Sequence, residues 1–171
     1  MAEKKYVQTS IVIPKSYGPT ERRAIAIEIL DYIRDRTNSG LDKREQSFPK
    51  YSKEYKNSFE FKVAGKSGKV DLKLSGDMLA VMDLIKTSPG KIVIGFDPGS
   101  SEAERAEGNI RGSYGKSRGD KSKARDFLGI DSSVLKAKIL SKFPLSDKSK
   151  SESFAKKITD AEDFSEDLDS E

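Results

Sequence analysis

The chain has 171 residues, enough for one domain and a tail. Hydrophobic and charged residues each make up 35% of it, so the core is modest and does not run the whole length. There is no Cys and no His, which removes disulfides, thiolate nucleophiles, imidazole bases and most zinc chemistry; any catalysis would run on carboxylates, Lys, Tyr or Ser.

The net charge of +4 is unevenly spread. Residues 151–171 carry eight acids against two lysines, a net of −6, which leaves +10 for residues 1–150. A basic body with an acidic tail is a statement about partners rather than about fold. No apolar stretch follows Met-Ala-Glu-Lys-Lys, so no signal peptide is expected, and no apolar run is long enough to span a membrane.

Residues 6–17 read as an extended arm or an edge strand, because Pro14 fits a sheet only at its edge. Gly18-Pro19 punctuates, and Thr20 is the expected N-cap, with Arg23 at the capping-box position. Ala24, Ile27, Leu30 and Ile33, joined by Ile25 and Ile29, predict a helix over about 21–37 that packs on a sheet and ends at Asn38-Ser39-Gly40. Tyr51, Tyr55 and Phe59 suit one face of a short helix.

Phe59 to Val63 alternates, as do Val70, Leu72 and Leu74, which predicts a hairpin across Ala64 to Gly68, or a strand with a flexible loop. Met78 to Ile85 reads as strand or helix. The Pro89-Gly90 turn before Lys91 to Phe96 favours strand–turn–strand. Residues 100–110 predict a helix with an acidic first turn. Residues 111–123 are Gly/Ser/Lys-rich and read as a mobile basic loop. Residues 124–130 read as a short strand with Phe127 inward and Gly129 free to take a positive φ. Asp131 then caps a helix over about 132–143, which Pro144 stops. The remainder is a Ser/Lys/Asp/Glu tail.

Several motif fragments are weak. Gly65-Lys66-Ser67 lacks the first glycine of a phosphate loop, since position 60 is Glu, and reads as a turn. Arg118-Gly119-Asp120 matches a cell-adhesion tripeptide in a loop whose composition produces one easily. The tail acids lack the frame of a calcium loop. The cluster Arg111, Lys116, Arg118, Lys121, Lys123 and Arg125 is either a solvated loop or a phosphate-contacting one, and Tyr114 alone gives little stacking for single strands. Phe48, Tyr51, Tyr55 and Phe59 read as core or subunit contact.

Three segments in order resemble the tail-completion (neck) proteins of tailed bacteriophages, including the Mu-type virion-morphogenesis proteins. They are Phe48 to Tyr55, then Val70 to Leu79 followed by the strand Ile92 to Phe96, then Arg125 to Ile130. Asp126 stands where the family pattern often has Pro, and the 111–123 loop is longer and more basic. The motif and interface residues are Phe48, Tyr51, Tyr55, Leu72, Gly76, Met78, Arg125, Phe127, Leu128 and Gly129.

The expected fold is α+β: one domain, with an antiparallel sheet of about four strands and helices on one side. Residues 1–18 form a flexible N-terminal arm, 19–144 the domain and 145–171 a flexible acidic tail. The resemblance implies a non-enzymatic virion protein without cofactor or metal, assembled in the host cytoplasm. It implies a ring, hexameric, between the portal side and the tail tube, whose partners are other copies, neck or portal-adaptor proteins and tail terminator or tube proteins. The basic loop would touch genomic DNA in the lumen. The alternatives are a basic nucleic-acid-binding accessory protein and a carboxylate enzyme, for which no pair of acids stands out.

Overall fold

A computed structural model describes residues 7–66, 68–70, 72, 78–114 and 118–145. The expected contributions of Lys116 and Gly76, and the acidic tail beyond Leu145, lie outside those residues.

The core is a three-stranded antiparallel sheet in the order β1-β3-β2, with β1 at Gln8–Val12, β2 at Asp83–Ser88 and β3 at Lys91–Gly95. Of the two readings of the N-terminal segment, the edge strand holds for residues 8–12. They run against β3 from Gln8 opposite Gly95 to Val12 opposite Lys91. Pro14 falls beyond the last pair, where its missing N–H costs no ladder bond. The β2–β3 hairpin turns at Pro89-Gly90 as expected, with Gly90 at φ +82°. A bulge between Leu84 and Lys86 interrupts β2.

Helix α1, Pro19–Asn38, lies against β2 and β3. Its N-cap is Gly18 rather than Thr20, with Pro19 at the first helical position, where a missing N–H loses nothing. This shifts Glu21 into the third position, and its carboxylate accepts a 2.7 Å bond from the Gly18 N–H. The buried stripe is Arg22, Ile25, Ile29, Ile33 and Arg36, with Ala26, Leu30 and Thr37 beside it. Ile27 falls off that stripe and is exposed. Three- and four-residue steps from Ile25 leave Ile27 on the opposite side.

Two short helices follow, α2 at Lys53–Lys56 and α3 at Phe59–Val63. The second replaces the expected first strand of a hairpin. Ser58 caps it, its hydroxyl accepting from Phe61 N at 3.3 Å. A strand would have placed Phe59, Phe61 and Val63 on one face. The helix buries Phe61 and leaves Phe59 77% exposed. The sheet therefore has three strands among the described residues, not four. The other half of the expected hairpin, near Val70 and Leu72, falls largely outside them.

Helix α4, Ser101–Arg111, is capped by the Ser100 hydroxyl, which accepts from Ala103 N at 3.1 Å. It ends at Gly112 in the left-handed region. The chain returns through residues 118–125 to a segment, 126–130, that is not a strand. Its residues pair with no other strand, although Phe127 is fully buried and Gly129 takes φ +145°, as the sequence suggested. Asp131 caps α5, Ser132–Val134, accepting from Ser133 N at 2.9 Å. From Leu135 to Ile139 the helix widens into a π turn, and it tightens to a 3-10 turn at Leu140–Lys142 before Pro144. Leu135 and Ile139, four residues apart, stay in the core, and Ala137 between them faces outward.

Candidate functional site

The sequence alone does not indicate that the arginines of α1 hold the loops. The Arg22 guanidinium donates to the Tyr17 carbonyl at 2.7 Å. That of Arg34 donates to the carbonyls of Leu79 at 3.1 Å and Met82 at 2.6 Å. That of Arg36 donates to the carbonyls of Gly129 at 2.8 Å and of Phe127. Each cation satisfies carbonyls of a segment with no ladder of its own. Arg36 thus stands in for the neighbour strand that 126–130 lacks.

Arg36 is buried, and desolvation draws its guanidinium below the ordinary arginine value, opposed by the Tyr32 hydroxyl and the acids Asp42 and Glu45. The Tyr32 ring lies 5.5 Å from the guanidinium. The Tyr32 hydroxyl donates to Glu45, which also accepts 2.8 Å from Lys138 on the π turn. Those two bonds, Lys138 first, hold the Glu45 carboxyl below the usual range. One network therefore ties α1, the 41–47 loop, the 126–130 segment and the last helix together.

A second cluster surrounds Arg125. Its guanidinium lies 4.8 Å from the Tyr51 ring centre and 5.4 Å from that of Tyr114, while the backbone N–H of Arg125 donates to the Asn109 carbonyl at 2.7 Å. Among the described residues no carboxylate pairs with it; the two π faces take that place. Arg125 is only 9% exposed, so the loop's expected cation points inward and leaves phosphate contact to its neighbours. Tyr51 also packs on Tyr55 and Phe61, with ring centres 5.1 and 5.6 Å away. Phe61, not Phe59, completes the aromatic set. Phe48 is buried beneath it in the same core.

The loop closes on itself at Gly112. The Asp120 N–H donates to the Gly112 carbonyl at 3.3 Å, and the Tyr114 hydroxyl donates to the Lys123 carbonyl at 2.8 Å. Burial raises the Tyr114 hydroxyl pKa above its ordinary value. Asp120 of the Arg-Gly-Asp string is engaged locally, accepting from Ser122 N at 2.9 Å. Gly112 has φ +67°, and an added Cβ would lie 2.1 Å from the Asp120 oxygen. Gly112→Ala is therefore expected to cost about 2 kcal/mol or more, from left-handed strain plus displaced backbone. Urea denaturation checks the loss, and trypsin is expected to cut faster at Lys121 and Lys123.

The remaining cations face outward. Arg118, Lys121 and Lys123 are exposed on the loop, and Lys53 and Lys62 are exposed on α2 and α3. Arg111 is held by Glu107 at 2.9 Å, and Lys123 lies 3.8 Å from Asp120. Lys66, from the phosphate-loop fragment, donates to the Tyr51 hydroxyl at 3.1 Å. The Tyr51–Arg125–Tyr114 stack thus joins two basic segments into one surface, and the lysines of α2 and α3 belong to it beside the loop. The sequence signal for them was the run of lysines at positions 50, 53, 56 and 62, spaced by aromatics.

The motif segments meet in one core. Phe48, Tyr51, Leu72, Met78, Phe127 and Leu128 all belong to the same apolar cluster, with Tyr55 packed against it. Asp126, at the family's frequent proline position, forms a 2.6 Å ion pair with Lys43. An open groove of about 480 Å³ lies between β1, the end of α4 and residues 126–128, with the Lys43–Asp126 and Glu107–Arg111 pairs on its walls. Among the described residues no group of three or more acidic side chains is placed to hold a metal ion, and no helix is long and apolar enough to cross a membrane. No family model, curated protein or solved structure matches the chain.

Proposed function

We propose that the chain is a structural protein of the neck of a tailed bacteriophage. In this reading it is one α+β domain, without enzymatic activity, that assembles as a ring between the portal side and the tail. The observation that carries it is the convergence of three separate motif segments. Phe48 to Tyr55, Leu72 with Met78, and Arg125 to Leu128 come together around one core and one cation–π stack. Exposed Phe59 and Val63 on α3 offer apolar surface that a neighbouring copy would cover, as a heterologous ring contact requires. Its partners would be further copies, neck or portal-adaptor proteins and tail terminator or tube proteins. Electron microscopy of the purified chain is expected to show closed rings, and particles lacking it are expected to hold full heads unjoined to tails. A strict monomer absent from particles overturns the reading.

The basic surface around Arg125 favours a second reading, a nucleic-acid-binding accessory protein. In either case DNA contact would be through phosphates, without base readout. Affinity for duplex DNA is expected to fall steeply with salt. Combined Lys53→Glu, Lys62→Glu and Lys121→Glu substitutions should reduce the slope of log K against log salt by about 2–3. Absence of binding at low salt removes DNA from both readings.

A further inference from the structure

The two faces of the sheet are unequal. Val7, Ile11 and Ile13 of the β1 segment and Ile92, Ile94 and Phe96 of the β3 segment share one face and belong to the main core. The opposite face carries Ser10, Val12, Lys91 and Val93, with Lys86 opposite Val93 and Ile85 at the bulge. Val93 is buried yet lies outside the main core cluster. Val12 is 80% exposed and Ile85 45% exposed, and Lys86 and Lys91 stand exposed beside them. An apolar strip edged by lysines is an unusual face to leave to water on an antiparallel sheet, whose solvent side is ordinarily polar.

The C-terminal sequence has the matching chemistry. Phe154, Ile158, Ala161, Phe164 and Leu168 recur at steps of three and four, the spacing of one helical face. Residues 158–171 hold seven acids and no base. The described chain also ends in the right place. The Tyr17 hydroxyl donates to the Phe143 carbonyl at 2.6 Å, which ties the chain's exit to the segment just after β1. Residues 146–153 can span about 26–29 Å when extended, more than the width of three strands at about 4.8 Å spacing.

We propose that residues 154–168 dock, as an acidic amphipathic helix, on the open face of their own chain's sheet. Phe164 and Leu168 cover Val12 and Ile85, and the acids meet Lys86 and Lys91. A tether of eight residues raises the local concentration of the segment to the millimolar range, so a weak contact is populated. The docked segment would give the sheet a second layer over the apolar strip.

The absence of native cysteine makes the test clean. In the full chain, a Val12→Cys/Ala161→Cys pair is expected to form an intramolecular disulfide at micromolar protein. Its rate should be about tenfold or more above that of a Lys53→Cys/Ala161→Cys control on the basic surface of α2. Adding Phe164→Asp and Leu168→Asp, or Lys86→Glu and Lys91→Glu, should bring the first rate down towards the control. Val12 and Lys53 are both exposed, so neither cysteine there disturbs the core. Equal rates for the two pairs overturn the proposal. A disulfide that forms only between chains also overturns it, and assigns the face to a second copy.

Discussion

Replacing Arg36 with alanine is expected to destabilise the fold by about 3–5 kcal/mol, the range for breaking a buried charged arrangement. The guanidinium donates to two carbonyls, of Gly129 and Phe127, in a segment without strand partners. Truncation leaves both oxygens buried without donors, at about 1–3 kcal/mol each, and opens a cavity beneath the Tyr32 ring. Loss of the charge itself offsets part of this, because burial already disfavours the cation. Arg36→Lys keeps one donor of the fork and should cost about 1–2 kcal/mol. Arg23→Ala, one turn from the start of the same helix but exposed, should lie within about 0.5 kcal/mol of the parent. In urea the Arg36→Ala midpoint should fall by about 1.5 M or more at an unchanged slope near 2 kcal/mol/M. A midpoint shift no larger than that of Arg23→Ala would remove the stapling role.

Phe127→Ala is the second large effect, about 3–5 kcal/mol. Phe127 is fully buried, and its ring meets Phe96 edge to face, with centres 6.2 Å apart at 82°. Truncation loses both the transfer of the ring and the filling of its space. Phe127→Leu, which keeps most of the volume, should cost about 1–1.5 kcal/mol. Against a typical stability of about 5–15 kcal/mol, the alanine variant keeps little margin. Arg36 holds the carbonyl of Phe127 itself, so the two sites are coupled. The double variant should lose less than the sum of the single losses, by about 1 kcal/mol or more. Strict additivity would mean that the 126–130 segment is held by side-chain packing and by the arginine independently.

Parts of this architecture are legible from residues alone. The helical period of Ala24, Ile27, Leu30 and Ile33, joined by Ile25 and Ile29, predicts α1, although Ile27 falls outside the buried stripe, and Pro89-Gly90 between apolar runs predicts the β2–β3 hairpin. The acidic first turn marks the start of α4. Gly129 before Asp131 forecast a positive φ and a cap, and both are present. These features depend on neighbours in sequence, through backbone sterics and helical period, so the local string contains the information.

Phe59 to Val63 failed for an instructive reason. Phe-Glu-Phe-Lys-Val alternates as a strand does, yet Ser58 caps a helix there and only Phe61 finds the Tyr51–Tyr55 pair. Period 2 over five residues cannot outweigh an aromatic pocket built elsewhere in the chain. Likewise 126–130 has strand composition but no strand beside it, because the arginine of a helix some ninety residues away supplies its donors.

Charge marks the deeper boundary. The sequence by itself determined the basic body, the acidic tail, the missing thiols and imidazoles, and the order of three motif segments. It did not say which cations face water. The tertiary structure turned Arg22, Arg36 and Arg125 inward and left Lys53, Lys62 and Lys121 outside. The physical reason is that an arginine buries only where carbonyls or aromatic faces converge to replace its water. That convergence exists only once distant segments have packed.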